Sequence, residues 1–492
     1  MKLRFFYLLL VLFFSFAFAV AQNNTLHPCG TKDGKVSWLR AYQQNPAGFP
    51  RTNDTLYIPL TIHVVGTNEG TGHYPARKVL DAFCTLNNDF KASAIQFFIE
   101  GDINYLNNSS WFDHDYGQGS QMMAFNFVPN TINCYIVDSP AGNCGYSSYN
   151  SGVALAQNCV DPGDHTWAHE IGHYLSLPHP FWGWEGYEHN YNQPAPSQID
   201  DAVVERMDGQ FCNFAGDGFC DTPPDYLNFR WGCNDQGMSN TIQKDPNGVE
   251  FRSDGSLFMS YSVDDCPPSR FSDEQIDAMR ANILTEKESF LYNQTPLDPP
   301  VLTPLVAISP VEDQIVPTYQ EVVFAWEPIE NATHYLLEVS PMGTFGVIQG
   351  RYEVEGNSYV STDLDPNRTY YWRVRPYNRR HTCTDYLEGP RFETGELTAV
   401  AEIESISSVN VLPNPSRRGQ EVQMVVNASE SLDLTVQVNA LSGQQLQQFQ
   451  WQVTPGVNQR TINADVLPAG IYLLSMQSQR GVMTRKLVVS GD

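Results

Sequence analysis

Positive charge is what this chain has least of. Its 492 residues include 29 Lys and Arg against 55 Asp and Glu, a formal net charge of −26. So acidic a surface repels phosphate backbones and anionic lipid, which argues against nucleic acid or a negatively charged membrane as partner. Charge of either sign is sparse, at 17% of residues. Long apolar runs are missing too: after residue 20 no stretch reaches eighteen apolar residues, so no integral membrane span is expected.

Aromatics and cysteine are plentiful. With 24 Tyr, 27 Phe and 9 Trp, the composition favours β-rich, extracellular architecture over helical bundles. The length exceeds what one core can serve and implies two to four domains. Lys2 and Arg4 precede an apolar run from Phe5 to Val20, and Ala19-Val20-Ala21 reads as a signal-peptidase site before Gln22. Residues 1–21 are therefore expected to be a signal peptide, and the chain to be exported. Ten cysteines agree, because disulfides persist outside the cytosol.

Residues 22 to about 51 are polar and broken by Pro and Gly, with His27-Pro28-Cys29-Gly30-Thr31 standing out. The pattern LYIPLTIHVV from Leu56 to Val65 predicts a strand, and the apolar spacing from Ala76 to Phe90 predicts a helix. Further strands are expected over Ala94 to Ile99 and Thr131 to Val137. Gly145-Tyr146 opens a stretch that ends in Val153-Ala154-Leu155-Ala156. It reads either as an edge strand holding an extended peptide by main-chain hydrogen bonds or as an ordinary edge strand.

The chemistry concentrates in His169 to His179, H-E-I-G-H-Y-L-S-L-P-H. His169 and His173, four apart, project from one face of a helix. Neutral imidazoles so placed suit a tetrahedral zinc ion, and Glu170 can reach a metal-activated water without being a ligand, as a general base must. His179 cannot share that helix, because six more residues rotate it by about 240° and lift it by about 9 Å. Pro178 ends the helix and pushes Leu177 from helical angles, so the chain can turn back and offer His179 as third ligand. The turn itself falls to Ser176, and left-handed angles on a residue with a Cβ cost roughly 1–2 kcal/mol. His165 and His189 lie near the motif but out of register, and read as polar surface residues. The aromatic run from Phe181 to His189 reads equally as a cleft rim or as a packed loop.

The pattern HExxHxx(G)xxH resembles the metzincin clan of zinc peptidases, with Ser176 where the clan usually has Gly. Met259-Ser260-Tyr261, eighty residues beyond His179, resembles its Met-turn, with Met259 as the floor beneath the metal. Gly145-Tyr146, His169 to His179, Asp221-Thr222-Pro223, Met259 to Cys266 and Phe271 to Gln275 together resemble the pappalysin family over roughly residues 55 to 290. The resemblance implies an α+β catalytic domain, with a twisted mixed sheet and an active-site helix. It implies zinc on His169, His173 and His179, Glu170 as base, and Tyr261 reaching the oxyanion or the metal. It also implies structural calcium near Asp217, Asp221 and Thr222, whose hard oxygens suit that ion, though without the family the stretch reads as a solvated turn. Some pappalysin precursors resemble a cysteine switch, in which a thiolate covers the zinc, and Cys29 stands where that would be expected. The alternative is pairing of Cys29 elsewhere, for instance with Cys383. Eight cysteines lie in the catalytic segment, and eight can pair in 105 ways; the family suggests that Cys266 ties back to the Cys212–Cys233 loop.

Beyond residue 293 the chain changes character. A Pro-rich linker is expected at 294–304. Closely spaced strands with Trp326 and the run T-Y-Y-W-R-V-R-P resemble a fibronectin type III sandwich over 305–396. A second linker is expected at 397–409. Residues 410–492, with Pro413-Asn414-Pro415, Leu441-Ser442-Gly443, Leu467-Pro468-Ala469-Gly470-Ile471-Tyr472 and a terminal Lys486-Leu487-Val488-Val489, resemble a type IX secretion C-terminal sorting domain, a second all-β sandwich read by that export machinery. The whole reads as 1–21 signal peptide, 22–53 prosegment, 54–293 catalytic domain and two sandwiches. The function expected is a secreted or cell-surface zinc metalloendopeptidase acting on proteins or peptides. The rival class is a surface binding or adhesion protein that uses the sandwiches and keeps an inactive protease scaffold.

Overall fold

The computed structural model describes residues 26–490, apart from 32–33, 264–265, 267, 293–296, 398–402, 404, 418, 441–444, 465–466, 469 and 479–480. The expected signal peptide, Leu441-Ser442-Gly443, Ala469 and part of each expected linker lie outside the described residues. β1 (Leu56–Gly66) is buried at every residue but Tyr57, which is why it reads as a continuous apolar run: both of its faces are covered. β1 pairs in parallel with β2 (Ile95–Ile99), β3 (Asn104–Asn107) and β4 (Ile132–Val137). Next to β4 lies β6 (Gly152–Ala156), parallel, and the edge is β5 (Gly145–Ser148), the one antiparallel member. The order is β2-β1-β4-β6-β5. The strand expected to end at Ala156 is thus a hairpin whose first arm is the edge, while its second arm is internal.

Helices cover this sheet. α1 (Ala76–Asp89) buries Val79, Leu80, Phe83 and Leu86, a helical stripe against the strands. α2 (Thr166–Tyr174) carries the two-histidine motif and is buried along almost its whole length. α3 (Asp273–Thr285) begins with a capping box in which Ser272 and Gln275 satisfy each other's backbone amides; the F-S-x-x-Q run is that cap.

One helix escaped sequence reasoning. Ser37–Gln44, inside the polar leading segment, buries Leu39 and Tyr42. Leu39 belongs to the same core as α1, α2 and α3, and Trp38 donates from Nε1 to Thr285 Oγ1 at 3.0 Å. The leading segment is an integral layer of the domain.

Residues 307–397 form two facing sheets, a three-stranded one through Val322–Trp326 and a larger one centred on Thr369–Tyr377 and His334–Ser340. Trp326, Trp372, Tyr335 and Phe324 fill the space between them. Residues 406–490 form another pair of sheets with a separate core. Four disulfides join Cys84–Cys383, Cys144–Cys159, Cys212–Cys220 and Cys233–Cys266. Two expectations are corrected. The eight cysteines of the first domain do not all pair with one another, because Cys84 reaches the sandwich and Cys134 is buried and free. Cys383 is therefore spoken for, and Cys29 is free and buried. The tie from Cys266 back to Cys233 is present.

Candidate metal centre and its cover

α2 ends in a Schellman motif. Ser176 N donates to His173 O at 2.8 Å and Leu177 N to Gly172 O at 3.0 Å. Ser176 is the left-handed residue, at φ +80°, as its place in the motif predicts. The reversal brings His179 back under the helix. The three Nε2 atoms lie 3.1 Å (His169 and His173), 3.1 Å (His173 and His179) and 3.3 Å (His169 and His179) apart.

Their tautomers follow from their neighbours. His169 Nδ1 donates to Phe258 O and His173 Nδ1 to Leu177 O, each at 2.7 Å, which leaves both Nε2 lone pairs pointing inward. Burial holds His169 down to about 4 and His173 and His179 well below the usual imidazole range, so the rings are neutral. Cys29 Sγ completes the group, 3.5 Å from His173 Nε2. Zinc–nitrogen bonds of about 2.05 Å and zinc–sulfur bonds of about 2.3 Å set tetrahedral N···N edges near 3.3 Å and S···N edges near 3.6 Å. The three N···N distances and the Cys29 Sγ–His173 Nε2 distance fit that figure, and all four donor atoms lie within 4.8 Å of one another. Converging lone pairs repel unless a cation lies between them, so this donor set suits zinc.

Glu170 sits in the next shell. Its Oε2 accepts from Thr31 Oγ1 at 2.9 Å, and its buried Oε1 has no hydrogen-bond partner among the described residues. Burial pushes the carboxyl up to about 8, against the hydrogen bonds from Cys29 and Thr31. Burial, then the charge of Glu170, drives the Cys29 thiol well above its usual value. A thiolate there requires a cation beside it.

The turn around Met259 serves the centre at three points. Phe258 O orients His169. Met259 is fully buried beneath α2, so close that a Cβ on Gly172 would come within 2.4 Å of its Sδ. Tyr261 packs on His179 with ring centroids 4.9 Å apart, and its hydroxyl donates to Cys29 O at 3.4 Å. The buried Asp225 pins the turn: Ser260 Oγ donates to its Oδ2 at 2.8 Å. Nothing in the sequence marked Asp225, which only follows the D-T-P-P run.

The leading segment lies along the cleft, parallel to the edge strand. His27 N donates to Gly142 O, Cys144 N to His27 O and Gly30 N to Gly145 O, at 3.0, 2.7 and 2.8 Å. Gly30 is obligatory, since a Cβ would meet Asn143 Nδ2 and Tyr116 OH at 2.5 Å. Thr31 Oγ1 also accepts from Ser147 N at 2.8 Å. One threonine thus blocks both the carboxylate and the edge strand, a role that sequence reasoning missed. Beside His169 a cavity of about 290 Å³ is lined by Pro28, Asp164, His165, Arg230 and Tyr261. His165 bonds Asp89 at 2.9 Å, and His189 is packed between Trp184 and Tyr191. Neither is among the four converging donors.

The residues expected to hold calcium divide. Asp217 is fully buried, its Oδ1 2.9 Å from Thr222 Oγ1. Asp221 is exposed and turned away, accepting instead from Glu274 N at the start of α3 at 2.8 Å.

Residues 410–490 match the family described as a secretion system C-terminal sorting domain. The chain therefore ends in a type IX sorting domain, the mark of a protein that is secreted or held at the cell surface. Among the described residues no helix is long and apolar enough to cross a membrane. The comparison with curated proteins finds no match. Among solved structures the chain is similar to fibronectin type III modules. The chicken CNTN1 FN1–FN3 domains are 15% identical, cover 40% of this chain and 67% of their own, and give a TM-score of 0.17. The Clostridium thermocellum CbhA modules are 9% identical, over 38% of this chain and 94% of their own, with a TM-score of 0.15. The fn3 domain of the human collagen alpha-1(XX) chain is 26% identical over 22% of this chain and 92% of its own, with a TM-score of 0.15. Likenesses this slight say nothing of activity.

Proposed function

We propose that the chain is a zinc-dependent metalloendopeptidase of pappalysin type, exported as a precursor in which Cys29 covers the metal. The observation that carries this reading is the convergence of three imidazole nitrogens at tetrahedral spacing, with the Cys29 thiol and a carboxylate alongside. His169, His173 and His179 would hold the ion, and Cys29 would take the fourth place until the leading segment departs.

A bound zinc ion supplies a Lewis acid that polarises the scissile carbonyl and acidifies a water. The rest falls to the chain's own groups. Glu170, released from Thr31, accepts a proton and returns it to the leaving amine. The stretch 142–147 offers the main-chain groups now used by residues 27–31, so an extended protein or peptide would be held with little regard to its sequence. Tyr261, once free of Cys29 O, gains a hydroxyl that can turn toward the developing oxyanion. The cavity beside His169 receives one substrate side chain.

The test is zinc content and casein hydrolysis of the full chain, run with and without a chelator. Wild type, Cys29→Ala and Cys29→Ala/Glu170→Gln are each expected to hold about one zinc. Cys29→Ala, once freed of its leading segment by limited proteolysis, should cut casein and stop in chelator, and adding Glu170→Gln should lower the rate by about 10²–10⁴-fold or more. A zinc-loaded chain that cuts nothing after its leading segment is removed would sink the reading and turn attention to binding by the sandwiches.

A further inference from the structure

The covering segment crosses the metal centre with a cavity on each side of Cys29. Pro28 lines the one beside His169, and Gly30 lines the other, of about 360 Å³. This second cavity lies along the edge strand, between its residues 146–148 and the helix Tyr116–Phe125. It is close to the chemistry: a Cβ on Gly145, one residue before the wall begins, would come within 2.8 Å of Glu170 Cγ. Among residues 27–31 only Gly30 lines it, and glycine has no side chain to place there.

Its walls suit one kind of guest. Met123, Phe127 and the rings of Tyr116 and Tyr146 supply apolar surface, and no charged side chain lines it. The two tyrosines meet edge to face, with ring centroids 5.2 Å apart. Both are held in place. His114 Nδ1 donates to Trp111 O at 2.6 Å, which leaves its Nε2 to accept from the Tyr146 hydroxyl at 3.0 Å. Gly119 makes room for that hydroxyl, since a Cβ there would collide with it. The Tyr116 hydroxyl accepts from Asn143 Nδ2 at 3.2 Å and donates to Gly30 O at 2.9 Å. Phe127, 45% exposed, offers a ring at the mouth.

Fixed aromatic walls, an uncharged lining and an opening onto the edge strand select a large uncharged side chain, aromatic by preference. A charged one would lose hydration there and find no ionic partner. We infer that this cavity is a second substrate subsite, which takes one such side chain on the far side of the scissile bond from the residue held beside His169. In the precursor the covering segment passes it with glycine and leaves it unused. Once that segment departs, the Tyr116 hydroxyl is released from Gly30 O and donates instead to a backbone carbonyl of the substrate. All of this rests on the peptidase reading in laying an extended chain along the edge strand and across the metal.

The test compares wild type, Ala124→Trp and Ala124→Glu, each freed of its leading segment by limited proteolysis. Ala124 lines the cavity from an exposed position on the helix, so either change alters the cavity without disturbing a core. A mixture of random-sequence peptides is offered, and the cuts are located by mass spectrometry. Wild type should show Phe, Tyr, Leu or Met about tenfold above their share of the mixture at one fixed position on one side of the cut. Ala124→Trp should lose that enrichment, and Ala124→Glu should shift it toward Lys and Arg. Wild-type cuts without the enrichment, or a wild-type profile in both variants, would overturn the inference and leave the peptidase reading standing. Should the chain cut nothing, the peptides that immobilised wild type retains from the same mixture are measured instead. Retention of Phe- and Tyr-containing peptides that Ala124→Trp abolishes keeps the subsite and loses the peptidase reading. Retention without that preference, or none, ends both.

Discussion

Ser176 sits at φ +80° with its hydroxyl buried and without a hydrogen-bond partner among the described residues. The Schellman turn needs that backbone, and glycine would adopt it freely. Ser176→Gly is expected to stabilise the first domain by about 1–2 kcal/mol without changing zinc content, seen as a higher midpoint in thermal unfolding. An unchanged midpoint would mean that the hydroxyl contributes more than it shows. At this scale the sequence was readable wherever chemistry repeats a pattern. His169, Glu170, His173 and His179 stand in a fixed spacing because one helix turn and one reversal dictate it. Thr31, Tyr116 and Asp225 stand in none. Each acts on a partner more than thirty residues away, and single hydroxyls and carboxylates leave no local trace of such partners.

The elements were legible in proportion to their burial. β1, β2 and β4 are buried strands rich in apolar residues, and their expected limits fall within a residue or two of the observed ones. Ser37–Gln44 was missed because eight residues are too few to hold a helix by propensity, so its helicity comes from docking Leu39 and Tyr42. The stretch from Gly145 to Ala156 was read as edge, turn residues included, but only β5 is the edge; β6 pairs on both sides, and nothing local in a sequence reports a second neighbour. α2 and the Met259 turn work as a single unit, pressed together at Gly172. Gly172→Ala must displace the Met259 sulfur, and overpacking of this kind costs about 1–3 kcal/mol. The variant should melt earlier and bind zinc more weakly than wild type, measured by competition with a chromophoric chelator. Wild-type zinc affinity in Gly172→Ala would show that the methionine yields freely and that the turn does not brace the ligands.

The whole molecule divides its labour along the chain. Residues 410–490 address the export machinery. In a host with type IX secretion, deletion of 410–492 is expected to leave the chain in the periplasm, whereas the full chain appears outside the cell or on its surface. Cell fractionation and immunoblotting would show this, and equal export of both would point to a second signal. The middle sandwich is fastened to the first domain by more than its linker. Ile99 N donates to Arg379 O at 2.9 Å, Arg380 stacks 4.4 Å above Tyr57, and Arg375 pairs with Asp81. Cysteine spacing could not reveal the covalent part of this junction, because Cys84 and Cys383 stand 299 residues apart.

That junction changes what a cut means. A protease that opens the chain anywhere between 294 and 304 would make two polypeptides of one, but the Cys84–Cys383 bond would keep them a single particle. The sandwich would travel with the metal centre as a light chain travels with its heavy chain, and only a reducing milieu would part them.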